Sequence, residues 1–194
     1  MAGVRREISP NRKVRAVRNL NKRILVVCGA EKTEKQYLEG LRDSKRKANI
    51  AIKIRIEATD PLAVVRAAVR YRDTDKDAFD ECWVVIDVDE FDLRPANKLA
   101  QREGIRIALS NPCFEYWLLL HFCAHNGYVE SYKKLELMLD RYIGGYDKTR
   151  LDFRLYEPHI PEAVERSIAR IEKCGNCDTN PSTSVHEIVM QFMN

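Results

Sequence analysis

The stretch Cys82-Trp-Val-Val-Ile-Asp-Val-Asp89 combines a continuous apolar run with two acidic residues that alternate at its end. A strand that is exposed on one face alternates apolar and polar residues, whereas a strand that is covered on both faces is apolar throughout. The run from Cys82 to Ile86 therefore predicts a strand with helices on both faces, which is typical of a parallel sheet. If the extended conformation continues, Asp87 and Asp89 point to the same side.

Three further segments have strand patterns. A β-branched apolar run occupies residues 23–28 and is closed by Gly29, and residues 51–57 alternate strictly between apolar and polar side chains. Residues 105–109 form another short apolar run. Together with the run at 82–86, these segments predict four strands.

Helical patterns separate and follow these strands, which gives the order β-α-β-α-β-α-β-α and then further helices. Thr33 is expected to be the N-cap of the first helix, and Asp60-Pro61 is expected to open the second. The sequence therefore predicts an α/β fold with a mostly parallel four-stranded sheet, helices on both faces, and a helical C-terminal extension from about residue 130. The predicted helices begin at Thr33, Pro61, Pro95 and Cys113 and cover 132–142, 161–173 and 185–193.

The length of 194 residues and an apolar content of 45% fit one domain with a sizeable core, which we expect at 23–194 after a basic tail at 1–22. This composition excludes collagen-like and largely disordered proteins. No apolar run approaches the roughly 20 residues that span a bilayer, and no apolar segment follows the basic N-terminus as in a secretory signal. Six cysteines without an export signal are expected to stay reduced, so we expect a soluble cytoplasmic protein.

Positive charge is concentrated at the N-terminus. Residues 1–23 carry eight basic side chains and one acidic side chain, whereas the rest of the chain is mildly acidic. Two interpretations stay open, namely a solvated flexible terminus and a contact with nucleic-acid phosphates, whose counterions such cations displace. The candidate contacts are Arg12, Lys13, Arg15, Arg18, Lys22 and Arg23, with Lys32 close to the first helix as a further candidate.

Carboxylates are concentrated in the two segments that follow the first and third predicted strands. If these strands are neighbours where the strand order reverses, their carboxyl ends form one ligand-binding edge. Crowded carboxylates repel one another unless a cation neutralises them, and a hard divalent ion such as Mg²⁺ prefers oxygen ligands. The alternative is that these acids are solvated or cap the following helices. The residues concerned are Glu31, Glu34, Asp87, Asp89, Glu90 and Asp92.

Four segments resemble the motifs of the RloB-like family, also called AbiLii-like. They occur in family order from about residue 23 to the C-terminus, and the third motif, which contains Ser-Asn-Pro-Cys-Phe-Glu-Tyr-Trp, is long and unusual. The four segments are Ile24–Leu41, Val84–Phe91, Ser110–Phe122 and Asn180–Val185.

This resemblance implies a Toprim-like fold, related to the nuclease domains of OLD-type proteins, in bacterial restriction and phage-defence (abortive infection) systems. Members often occur beside a gene for an AAA-type ATPase. A Toprim site uses a glutamate after its first strand and a D-x-D motif after its third to hold Mg²⁺ or Mn²⁺ for phosphodiester hydrolysis. Carried over by motif, the D-x-D is Asp87 and Asp89, and the acid of the third motif is Glu115.

The first motif departs from the family pattern. Many relatives read E-G-x-x-T-E there, and Gly29 occupies the position of the first glutamate. Glu34 keeps the second position and Glu31 is an additional acid, so either is a candidate for the missing ligand, with a slight preference for Glu34.

Three functional hypotheses follow. The first is a metal-dependent nuclease that acts on DNA or RNA with an AAA-type ATPase partner. The second is a non-catalytic nucleic-acid-binding or regulatory subunit of such a system. The third is a Toprim-like protein that performs other phosphoryl chemistry. All three are compatible with a homo-oligomer, and none requires a membrane.

A lower-ranked pattern is the C-x-x-C pair Cys174 and Cys177, flanked by His159 and His186. The spacing fits a zinc site. It fits equally well a helix that stops at Gly175, next to two reduced thiols.

Overall fold

The computed structural model describes residues 22–29, 32–45, 50–56, 60–74, 78–88, 91–175 and 179–193. Its sheet has the strand order β2-β1-β3-β4-β5, and the first four of these strands are parallel. The strands are β1 (Lys22–Cys28), β2 (Ile50–Ile56), β3 (Glu81–Asp87), β4 (Arg106–Asn111) and β5 (Ser182–Thr183). The predicted parallel sheet is therefore confirmed, with β5 as an antiparallel addition at the edge next to β4.

Helices connect the strands and form the C-terminal part of the chain. Asp60 caps α2 as expected, since its Oδ1 accepts a hydrogen bond from the amide of Leu62 over 3.1 Å. Gly104 ends α3 with a φ of 65°, a conformation that glycine adopts without strain. The helices are α1 (Thr33–Ser44), α2 (Pro61–Thr74), α3 (Arg94–Glu103), α4 (Glu115–Leu120), α5 (Tyr132–Ile143), α6 (Ile160–Cys174) and α7 (Val185–Met193), with 3-10 turns at Phe153–Leu155 and Glu157–His159.

The sheet has a separate core on each face because its side chains alternate. Leu25 and Val27 of β1 pack with α2 and α3, on what we call the aliphatic face. Ile24 and Val26 pack with α1 and α4–α7, on what we call the aromatic face. The predicted cover of helices on both faces is thus confirmed.

The start of α1 differs from the prediction. Thr33 is the first residue of the helix, and the N-cap is Lys32, which makes no side-chain capping bond. The Thr33 hydroxyl instead donates a hydrogen bond to Glu115 Oε1 over 3.2 Å. In a cap the threonine oxygen would accept from a backbone amide, whereas here the hydroxyl donates to a buried carboxylate. A hydrogen bond to a charged acceptor is stronger than one between neutral groups, so this tertiary contact replaces the local cap.

The basic tail predicted at 1–22 lies outside the described residues except for Lys22, which is the first residue of β1. Among the described helices, none combines the length and the apolar character that crossing a membrane requires.

Candidate functional site

The carboxyl ends of β1 and β3 lie side by side. Cys28 pairs with Val85, and the amide of Gly29 donates to the carbonyl of Val85 over 2.9 Å. Because β2 lies on the other side of β1 and β4 on the other side of β3, the strand order reverses between these two strands. In open α/β sheets this reversal is where ligands bind, so the expected ligand edge is present.

Asp87 is the last residue of β3 and pairs with Ser110 of β4. It follows Trp83 and Val85, which both belong to the core of the aromatic face. Side chains two residues apart lie on the same face of a strand, so Asp87 belongs to the aromatic side of the edge. The residue is half-buried. Asp89, its partner in the D-x-D motif, lies outside the described residues.

Glu115 is the first residue of α4 and is only 6% exposed. Its Oε1 accepts hydrogen bonds from the hydroxyl of Tyr146 over 2.9 Å and from the hydroxyl of Thr33 over 3.2 Å. These donors come from the segment after α5 and from α1, so three distant parts of the chain meet at one carboxylate. A buried carboxylate with two donated bonds has a defined position.

The thiol of Cys113 lies within electrostatic reach of both Glu115 and Asp87. Burial raises the pKa of Cys113 far above its ordinary value, and the negative charges of Glu115 and Asp87 raise this pKa further. In the absence of a metal ion the thiol is therefore protonated. Burial and the charge of Glu115 also raise the pKa of Tyr146, so its hydroxyl remains a hydrogen-bond donor.

Glu34 lies in the first turn of α1 and is 4% exposed. Burial raises the pKa of Cys28, the last residue of β1, and the charge of Glu34 adds to this increase. Glu34 therefore lies near the carboxyl end of β1, on the side of the core of the aromatic face that Cys28 joins. Glu31, the alternative candidate, lies outside the described residues.

The described carboxylates are of the kind that a hard cation prefers, but they are too few to complete its coordination shell. Glu34, Asp87 and Glu115 offer carboxylate oxygens, which Mg²⁺ and Mn²⁺ prefer. Within the described ranges, no group of three or more acidic, histidine or cysteine side chains is arranged to hold a metal ion. Mg²⁺ needs only one or two carboxylates when waters and substrate phosphates complete its shell, so these residues fit such an ion as partial ligands.

The basic candidates fall into three groups. Lys22 and Arg23 lie at the amino end of β1, away from the carboxylates, where Lys22 Nζ is 2.7 Å from Glu81 Oε1 and Arg23 Nε is 3.7 Å from Asp80 Oδ2. Lys32 is exposed at the start of α1, next to Thr33. The remaining candidates lie outside the described residues, namely Arg12, Lys13, Arg15 and Arg18.

Sequence reasoning missed the two residues that hold Glu115. Tyr146 follows two glycines in a segment without a periodic pattern, and it is 31 residues from Glu115 along the chain. Thr33 is 82 residues away and carried a signal only for a helix cap. The pair Cys174 and Cys177 is not tested, because Cys177 lies outside the described residues.

Comparison with known proteins gives one finding. A family model described as RloB-like protein matches residues 24–192. Neither a curated protein nor a solved structure matches the chain. The matched range contains the carboxyl ends of β1, β3 and β4 together with Glu34, Asp87 and Glu115. The chain therefore belongs to the RloB-like family.

Proposed function

We propose that this protein is a nuclease that hydrolyses phosphodiester bonds of DNA or RNA with Mg²⁺ or Mn²⁺. The observation that carries the proposal is that three buried or half-buried carboxylates, Glu34, Asp87 and Glu115, lie near the carboxyl ends of β1, β3 and β4, at the edge where the strand order reverses. Carboxylates are rarely buried, and buried ionisable groups cluster at functional sites, so their concentration at a ligand-binding edge favours a functional role.

In this proposal Glu34 and Asp87 hold the ion, with Asp89 and Glu31 as further candidates. A divalent ion supplies charge neutralisation at the phosphate and lowers the pKa of a bound water. Asp87 is suited to this role because β3 is buried from Cys82 to Ile86 and fixes the backbone on which the carboxylate stands. In this hydrolysis water attacks the phosphorus and gives its proton to a nearby base, the bond from phosphorus to the leaving sugar oxygen breaks, and that oxygen takes up a proton from solvent.

Glu115 has a defined position in the site, because Tyr146 and Thr33 both donate to its Oε1. We assign to it the role of orienting the water or the ion from the β4 side. Lys32, exposed at the start of α1, stabilises negative charge on the phosphate. A cytoplasmic role in phage defence or restriction, together with an AAA-type ATPase, is the setting that the RloB-like resemblance implies.

One observation favours a second candidate, a non-catalytic nucleic-acid-binding or regulatory subunit. Gly29 stands where many relatives carry a glutamate. A Cβ atom at this position would lie 3.5 Å from Val64 Cγ2 and 3.6 Å from Ile86 Cγ2, on the aliphatic face. Because glycine has no side chain, the carboxylate of the family pattern is missing at the end of β1. Glu34 or Glu31 must replace it for catalysis.

The test uses Asp87→Asn with Asp73→Asn as the matched control, since Asp73 is an exposed acid on α2 that pairs with Arg72. Wild type and the control are expected to melt at a higher temperature in millimolar Mg²⁺ or Mn²⁺, because an ion that binds only the folded state stabilises it. They should also cleave DNA or RNA, alone or with the ATPase partner, and lose cleavage in EDTA.

Asp87→Asn should lose the metal-dependent shift and at least roughly a hundredfold in cleavage rate, while its metal-free melting temperature stays equal or rises because crowded negative charge is relieved. If wild type shows no metal-dependent shift, or if Asp87→Asn shifts as much as wild type, the nuclease proposal is wrong. The subunit hypothesis then takes its place.

A further inference from the structure

The segment 146–151, which follows α5, is attached to the start of α1. The side-chain amide of Gln36 donates to the carbonyls of Lys32 and Thr149 over 3.1 and 3.2 Å. Its oxygen accepts a hydrogen bond from the amide of Leu151 over 2.9 Å. One glutamine thus holds the C-terminal half of the segment against the first turn of α1.

The other half of the segment is attached to the candidate site itself. Tyr146 donates its hydroxyl hydrogen to Glu115 Oε1 over 2.9 Å, and the carbonyl of Lys148 lies 3.5 Å from the Thr33 hydroxyl, which also reaches Glu115. Both halves of the segment are therefore held, and its backbone lies at a defined place beside a buried carboxylate.

Four side chains of the segment are exposed, and two of these four are cationic. Lys148 and Arg150 project from the segment, Lys32 lies beside it, and none of the three forms an ion pair with any described residue. Lys148 Nζ lies 5.0 Å from the centre of the Tyr132 ring, a cation–π contact that limits where its charge sits.

Asp147 is the one acid within the segment, and it is occupied by local hydrogen bonds. Its Oδ1 accepts from the amide of Thr149 over 2.8 Å and from the hydroxyl of Thr149 over 2.7 Å. These bonds lower the pKa of Asp147, and the charges of Arg150 and Lys32 lower it further, which indicates that the cations of the two segments share one small region.

We propose that Lys32, Lys148 and Arg150 form a basic lip that binds the phosphates of a nucleic-acid backbone next to the carboxylates. The proposal rests on the proposed function and adds the surface that holds its substrate. A polyanion approaching Glu34, Asp87 and Glu115 is repelled unless cations lie close by, and the lip supplies them at the same edge. Arginine and lysine are the side chains that bind phosphate most strongly, arginine in a bidentate manner.

The experiment measures binding of labelled single-stranded and duplex oligonucleotides of DNA and RNA to the full chain in EDTA, over a series of salt concentrations. Lys148→Ala/Arg150→Ala is expected to weaken binding roughly tenfold and to flatten the salt slope by about 1.4 on single strands or 1.8 on duplex DNA, as two lost phosphate contacts require. Lys148→Arg/Arg150→Lys keeps both charges and should retain most of the affinity.

The matched control is Arg66→Ala/Lys98→Ala, which removes the same charge from exposed positions on α2 and α3 of the aliphatic face. It should leave the salt slope at the wild-type value. Equal losses in both double variants would mean that only net charge matters, and an unchanged slope in Lys148→Ala/Arg150→Ala would exclude the lip. Either result overturns the inference.

The metal-dependent melting shift is measured on the same proteins and separates the two proposals. A retained shift in Lys148→Ala/Arg150→Ala, together with weakened binding, supports the lip as a substrate contact distinct from the metal ligands. If wild type shows no metal-dependent shift but binds oligonucleotides through the lip, the nuclease proposal fails and the lip stands. If wild type binds no oligonucleotide, the lip is wrong whatever the metal does.

Discussion

The two faces of the sheet are built from different side chains. Under α2 and α3 the core consists of small and aliphatic residues such as Val64, Val65 and Ala68. On the other face it contains Tyr37 and Trp117. The buried polar and charged side chains of the described part lie on or directly after α1, α4, α6 and α7 or near the ends of β4 and β5, and none lies on α2 or α3.

This difference matters because a buried polar group is costly unless it is hydrogen-bonded. On the aromatic face the partners are specific. Ser167 donates to the carbonyl of Thr183 over 2.7 Å and contacts His186 Nδ1 at 2.8 Å, and Arg170 Nε donates to the carbonyl of Pro181 over 2.7 Å. The stability of the aromatic face thus depends on specific polar contacts, including those that hold Glu115. The stability of the aliphatic face depends on the volume and the apolar character of its side chains.

The largest effect that would sharpen this comparison concerns the two candidate glutamates of the first motif. Glu34→Gln is expected to lower the cleavage rate by at least about a hundredfold, because Glu34 is a buried acid on the aromatic side of the site. Glu31→Gln is expected to lower it by less than about tenfold. Cleavage rates and metal-dependent melting of both variants decide between them, and a larger loss in Glu31→Gln would reverse the assignment.

A second prediction concerns the pH dependence of the aromatic face. Burial lowers the pKa of His121 from 6.5 to about 3, and Nδ1 of this residue donates to the Trp117 carbonyl over 3.1 Å while Nε2 accepts from the Tyr37 hydroxyl over 3.0 Å. Below pH 6.5 His121 of the unfolded chain takes up a proton, whereas His121 of the folded protein stays neutral until the pH approaches 3. The free energy of unfolding is therefore at its full value above pH 6.5 and decreases as the pH falls toward 3. The loss amounts to about 1.4 kcal/mol per pH unit.

Urea unfolding between pH 7 and pH 4 measures this loss. His121→Gln removes the titrating group and keeps an acceptor for Tyr37, so its free energy of unfolding should fall less steeply with decreasing pH than that of wild type. His159→Gln removes an exposed imidazole whose charge is only a smaller cause of the lowered His121 pKa, so its slope should stay close to that of wild type. Equal slopes in wild type and His121→Gln would show that His121 does not titrate in this way.

The smallest expected effect compares one substitution at two glycines. A Cβ atom at Gly29 makes ordinary contacts with Val64 and Ile86 on the aliphatic face, whereas a Cβ atom at Gly40 of α1 overlaps the side chain of Phe153 on the aromatic face. Gly29→Ala should stabilise the protein by about 0.5 kcal/mol, because the unfolded chain loses freedom. Gly40→Ala should destabilise it by about 1 kcal/mol, since the overlap exceeds the gain in helix propensity.

Thermal or urea unfolding of the two alanine variants checks the signs. Opposite signs of the change in the free energy of unfolding would support the view that the aromatic face tolerates added volume less well than the aliphatic face does. Two stabilising substitutions would contradict it, because Phe153 would then move at no cost.

Most of the fold was predictable because its signals are local. The apolar run Cys82–Ile86 identified β3 as a buried strand, Asp60 and Gly104 marked the ends of two helices, and the periodicity over 185–193 located α7 at its observed bounds. These patterns depend on spacings of two to four residues, which a single sequence displays directly. The two-residue strand β5 was missed because so short an element has no periodicity.

The candidate site was predictable only in part, for the same reason. The sequence by itself determined which carboxylates follow β1 and β3, because strand ends and acidic residues are both visible in it. Only the tertiary structure decided that Thr33 donates to Glu115 instead of capping α1 and that Tyr146 donates to the same carboxylate. It also decided that segment 146–151 places its cations at this edge. These contacts join residues up to 115 positions apart. They form because a buried carboxylate or carbonyl needs a hydrogen-bond donor, and any part of the chain that packs nearby can supply that donor. Such pairings leave no local pattern, because each partner taken alone resembles an ordinary loop or helix-end residue.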